Sequence, residues 1–198
     1  MAKAITQYLL AGLLFVVPVS AGNCQPDRLP TVRVYYQEKV LVSLYDQARA
    51  FFIASRAFRG IGVNVEWREL DSPPPRESDG CGPVEDIELE IERSRVGQGP
   101  PDSLAYATPM RTSGTRIHVY YDRVLVMSRQ VPNLLGYVLA HEIGHVLEGV
   151  ARHSDAGILK AKWGAADYGM MAAHSLTFSP EDTERIGDHF NPPHRAMN

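Results

Sequence analysis

Apolar positions recur along the chain at two spacings, and the change from one to the other outlines the fold. Residues 31–36 (TVRVYY) carry the β-branched and aromatic side chains of a strand. Over residues 40–58 the spacing becomes helical. Leu41, Leu44, Tyr45, Ala48, Phe51, Phe52 and Ser55 fall on one face, and Gly60 and Gly62 supply the stop. Residues 63–70 (VNVEWREL) alternate again and predict a second strand. Strand, helix, strand in that order predicts a right-handed crossover and a parallel pair.

Three consecutive prolines and two glycines mark residues 71–84 as a loop. Ile87, Leu89 and Ile91 then alternate with acids, which predicts a third strand whose acidic face, within residues 85–92, is solvated. Residues 96–101 form another Gly/Pro loop, 104–107 a short edge strand and 116–121 a further strand. The clearest helix covers 133–148, where Leu135, Val138, Leu139, Glu142, His145 and Val146 share a face and Gly149 is the natural stop. The chain is less regular beyond it, until Ser179-Pro180-Glu181-Asp182 gives an N-cap and a proline at the first helical position. That last helix is expected to run to about His189. The sum is an α+β fold: a mixed twisted sheet of about four to five strands, a backing helix, the helix at 133–148 and a C-terminal helix.

Length and composition narrow this picture. A chain of 198 residues suits one domain, and 44% hydrophobic with 22% charged residues excludes global disorder. A net charge of −3 speaks against a nucleic-acid partner. The N-terminus reads as an export signal: Lys3, an apolar run at 8–17 closed by Pro18, and Val19-Ser20-Ala21 as the cleavage site. Residues 1–21 are therefore expected to be removed, leaving 22–198 as a single secreted or periplasmic domain. The run is too short for a comfortable span, so stable membrane insertion after removal is not expected. Only Cys24 and Cys81 are present, and an oxidising compartment makes a disulfide between them the expectation.

The chemistry is concentrated in Ala140-His141-Glu142-Ile143-Gly144-His145. On a helix, His141 and His145 lie one turn apart on the same face, where two imidazoles can chelate one Zn²⁺. Glu142 is then placed to take a proton from an attacking water. A third protein ligand is required, and His153 is the first choice, because Gly149 can reverse the chain and bring it back. Asp155, Glu181 and Glu184 remain open as carboxylate alternatives, and His118, His174, His189 and His194 as imidazole ones. The expected reaction is hydrolysis of a peptide bond in a peptide or protein substrate. A zinc hydrolase of another amide or ester, and a zinc-binding module without turnover, are the alternatives; the intact Glu142 favours the enzymes.

Residues 141–163 (HEIGHVLEGVARHSDAGILKAKW) resemble the zinc segment of the metzincin peptidases, whose pattern is HExxHxxGxxH with a methionine turn beneath the metal. A serine follows the third histidine in the matrix metalloproteinase branch, as Ser154 follows His153 here. The order of strand, helix, strands and zinc helix is similar too, so the resemblance implies a divergent zincin-like domain. The specific match covers about the last quarter of the ordered chain, and it departs from the pattern. Eight positions separate His145 from His153 where the pattern has six, and Glu148 stands at the glycine site, with Gly149 one later. Leu159, or else Met170 or Met171, is the candidate for the methionine turn. Cys24-Gln25-Pro26-Asp27 loosely resembles the inhibitory cysteine segment of matrix metalloproteinases, a rival to the disulfide. Tyr168 resembles the tyrosines that approach the oxyanion in some metzincins. Trp67, Trp163, Tyr35, Tyr36, Tyr120 and Tyr121 read as packing residues.

Overall fold

The structure, a computed structural model, describes residues 29–73, 82–95, 99, 101–110 and 114–192. The expected signal segment, both cysteines and His194 lie outside the described residues.

Among the described residues five strands form one sheet: β1 Thr31–Glu38, β2 Asn64–Glu69, β3 Val84–Glu92, β4 Ala105–Pro109 and β5 Thr115–Tyr120, in the order β2-β1-β3-β5-β4. β1 pairs in parallel with β2 and β3, and β3 with β5. β4 runs antiparallel to β5 at the edge. The helices are α1 Leu44–Arg59, α2 Tyr121–Met127, α3 Val131–Glu148, α4 Ala165–Ala172 and α5 Pro180–Phe190. The architecture is thus mixed α+β with a five-stranded sheet. Val32, Val34, Ile87, Leu89, Ile91, Ile117 and Val119, alternating along their strands, are buried in the core cluster with residues of α1 and α3.

The helix predicted from residue 40 begins at Leu44, because Ser43 caps it by accepting from the Asp46 amide at 3.0 Å. Its buried face also differs from the one expected. Phe51 is buried as expected, but Leu41, Leu44, Tyr45 and Phe52 are exposed, and Ala50, Ile53, Ala54 and Phe58 are buried in their place. Close approach to α3 explains the choice. Gly136 lies against this helix, and a Cβ there would sit 2.7 Å from Ile53 Cβ and 2.9 Å from the Ala50 carbonyl oxygen. Small alanines and a glycine let the two backbones approach, which a stripe of Leu, Tyr and Phe would prevent. Gly136→Ala is accordingly expected to destabilise the protein by about 1–3 kcal/mol through overpacking. It should do so although alanine is the better helix former by about 1 kcal/mol. Urea unfolding measures this, and an unchanged or raised stability would remove the close-packing account.

Two helices were not legible in the sequence pattern. Tyr121, read as the end of a strand, starts α2, and its hydroxyl donates to Asp46 at 3.0 Å. α4 occupies part of the stretch read as irregular. The face of β3 read as solvated is also corrected in part. Glu90 and Glu92 are buried, each 6% exposed. Glu90 takes Lys39 Nζ at 2.6 Å, Glu92 faces His118 Nδ1 at 2.8 Å, and Arg116 bonds Glu88. A carboxylate can leave water when a cation or hydrogen bond replaces it, and here the partners come from the neighbouring strand and the β1–α1 connection.

Candidate metal centre

α3 carries the HExxH segment through the middle of the protein. Ile143, Gly144 and Leu147 on one side are buried, and His141, Glu142 and His145 line the opposite side of a cleft of about 870 Å³. Gly144 lets α3 settle on its support, since a Cβ there would meet Leu159 Cδ2 at 2.8 Å. The helix ends where expected. Gly149 is left-handed (φ 66°), and its amide donates to the His145 and Val146 carbonyls at 3.1 and 3.2 Å.

The chain then turns back and returns His153. Ligand-capable atoms of His141, His145 and His153 lie within 4.8 Å of one another. His141 and His145 oppose their Nε2 atoms at 3.0 Å. Two nitrogens 2.0–2.1 Å from one tetrahedral centre would be about 3.3 Å apart, so the pair is spaced for a shared ion. The His153 ring packs against both, with centroids at 5.5 and 4.8 Å. Asp155, Glu181 and Glu184 are exposed and outside this group. His118 is engaged with Glu92, His174 receives Arg49 at 2.7 Å beyond α4, and His189 faces Glu85 at 3.3 Å.

Protonation favours the same use. Burial lowers the His141 pKa to about 4, with a hydrogen bond to the Ile158 carbonyl opposing. His145 is lowered to about 4 by burial and then by the neighbouring imidazoles. Both rings are therefore neutral at pH 7. His141 Nδ1 donates to the Ile158 carbonyl at 2.8 Å, which leaves the Nε2 lone pair facing His145. Among the described residues, the buried Nδ1 of His145 has no hydrogen-bond partner; the Val150 carbonyl nearby acts to raise its pKa but falls short of bonding geometry. Two neutral imidazoles with converging lone pairs form a donor set that fits a borderline-soft divalent ion such as zinc. Burial pushes Glu142 up to about 7, in the range suited to a group exchanging protons near neutral pH.

Other features were not foreseen as parts of the site. The Ile158 contact uses a backbone carbonyl, which has no side-chain signature. Trp163, read as a packing residue, stands edge-on to His141 with centroids 5.4 Å apart and lines the cleft. Tyr168, by contrast, was singled out in the sequence for its resemblance to oxyanion tyrosines, and it lines the cleft as well. Of the methionine-turn candidates, Leu159 lies beneath Gly144, Met171 is buried and Met170 is exposed. A bridge of charges sits behind the returning loop. Arg152 binds Glu148 at 3.1 Å and Asp182 at 2.8 Å, and both carboxylate side chains are fully buried. Burial also acts against ionised Asp182, but hydrogen bonds from Ser154, Ser179 and Arg152 outweigh it and hold its pKa down.

No family model matches the chain, and no curated protein does. Among solved structures, the chain is similar to the archaemetzincin of Methanopyrus kandleri, with a TM-score of 0.48 and 14% identity over 83% of this chain and 96% of that one.

Proposed function

We propose that this protein is a zinc-dependent peptidase in which His141, His145 and His153 hold the metal and Glu142 is the general base. The observation that carries this reading is the convergence of three imidazoles beside a half-buried carboxylate in one open cleft. When bound, zinc would act as a Lewis acid, making water a better nucleophile at neutral pH and polarising a carbonyl. Glu142 accepts the proton of the attacking water and delivers it to the leaving amine. His141 is held in its donor tautomer by the Ile158 carbonyl.

A peptide is the substrate class that the walls of the cleft suit. Ala105, Tyr106, Ala107 and Pro109 of β4 line it. β4 is an edge strand, bonded on one side to β5 and with no strand on its other side among the described residues. An extended peptide can add its backbone hydrogen bonds to such an edge and lay its side chains into the cleft. The reading extends to an exported protein, supported by the character of residues 1–21.

The test is the metal content of the purified protein, paired with cleavage of a denatured protein substrate. One zinc per chain and cleavage that a chelator abolishes and zinc restores are expected. Zinc without cleavage of any peptide, but with turnover of a simple ester or amide, would move the protein to the non-proteolytic hydrolases. Zinc with no turnover at all would make it a binding module.

A further inference from the structure

The loop from α3 to His153 is two residues longer than in the pattern it resembles, and a longer loop is harder to hold in one place. His153 itself is exposed, and its ring makes no hydrogen bond among the described residues. The residues on either side of it are tied down instead, and both go to one carboxylate. Arg152 reaches Asp182 at 2.8 Å, and the Ser154 hydroxyl donates a short hydrogen bond to the same Oδ1. The other Asp182 oxygen accepts the Ser179 amide at 3.1 Å, which fixes Asp182 at the start of α5. Arg152 also returns to Glu148 in the last turn of α3, at 3.1 Å. Glu148 is the residue that stands where the pattern has glycine.

We propose that Glu148, Arg152, Ser154 and Asp182 form a clamp, specific to this lengthened loop, that presents His153 to His141 and His145. Asp182 is its anchor and a positioning residue. The proposal rests on the three-histidine metal reading above. The clamp joins the end of α3 to the start of α5 across the loop, so the residue between its two attachment points has little freedom to swing. His141 is oriented by a bond to its own ring, whereas His153 is oriented through its neighbours in the chain. Partners that only orient a ligand commonly change metal affinity by about 10–100-fold.

The test measures zinc affinity by chelator competition on metal-depleted full-length protein, alongside urea unfolding of the same samples without metal. The variants are Ser154→Ala, Asp182→Asn and His153→Ala, with each clamp variant repeated in the His153→Ala background. Ser154→Ala and Asp182→Asn are expected to weaken zinc by about 10–100-fold and to have no further effect once His153 is gone. Arg152→Lys, which keeps the charge and loses the fork, is expected to fall between them and the wild type. Ser154→Ala removes one hydroxyl and keeps the test open if Asp182→Asn disturbs α5. A clamp that only stabilises the fold would lower the urea midpoint and leave zinc affinity unchanged, which overturns the proposal. Equal losses with and without His153 overturn it too. Wild-type protein that takes up no zinc overturns the metal reading beneath it. If instead wild type binds and Ser154→Ala and Asp182→Asn bind equally well, only the clamp falls.

Discussion

Glu142→Gln is expected to lower peptide hydrolysis by about 10²–10⁴-fold while the protein keeps its zinc. The substitution conserves shape and hydrogen bonding but removes the site that accepts a proton. The three imidazoles are held by other means: His141 by the Ile158 carbonyl, His145 by its place one turn along α3, and His153 by its returning loop. Metal content should therefore stay at one zinc per chain. Undiminished hydrolysis would end the assignment of Glu142 as base. Loss of zinc together with activity would instead make the carboxylate a ligand.

The same variant has a second consequence in metal-free protein. Burial raises the Glu142 pKa from 4.5 to about 7, so the folded state holds the proton more tightly than the unfolded chain. Folding is unpenalised below about pH 4.5 and loses stability as pH rises towards 7 and above, by about 3 kcal/mol. Glutamine carries no such penalty. Metal-free Glu142→Gln should match the wild type at pH 4.5 and exceed it at pH 8. His141 and His145 pull the other way on acidification, since their lowered pKa values favour folding above about 6.5 and lose that contribution towards 4. They are common to both proteins and cancel in the difference. Bound zinc, being positive, should shrink the margin.

What the sequence revealed of this molecule was mostly local. His141, Glu142 and His145 could be placed because i and i+4 on a helix share a face whatever surrounds them. Gly149 could be placed because a left-handed stop follows from the residue itself. β4 was expected as an edge strand, and the structure has it there. Two of the failures were non-local. The buried face of α1 was decided by Gly136, far along the chain, which selects Ala50 and Ile53 rather than the larger apolar series. Glu90 and Glu92 were read as wet because Lys39, Arg116 and His118 are not their sequence neighbours. α2 follows β5 without a Gly, Pro or Asn between them to mark the change. α4 (AADYGMMA) is too short and too uniform to show a face.

His153→Ala is expected to separate zinc binding from folding more cleanly than any other change. The side chain is exposed and has no hydrogen bond among the described residues, so its removal should alter metal-free stability by no more than about 0.5 kcal/mol. Zinc affinity should fall by more than the roughly 100-fold upper range for a partner that only orients a ligand, because a donor atom itself is lost. His141 and His145, with Nε2 atoms 3.0 Å apart, would remain as a two-donor site open to solvent. Chelator competition on the metal-depleted variant measures the loss, and urea unfolding confirms that the fold is retained. The competing ligands make the opposite forecast. Glu181 lies on α5, with its carboxylate 3.0 Å from Arg185 and more than half exposed. Zinc retained by His153→Ala but lost by Glu181→Gln would replace the three-histidine set with one that takes its carboxylate from α5. It would leave Glu142 as base and remove the resemblance to the metzincin pattern.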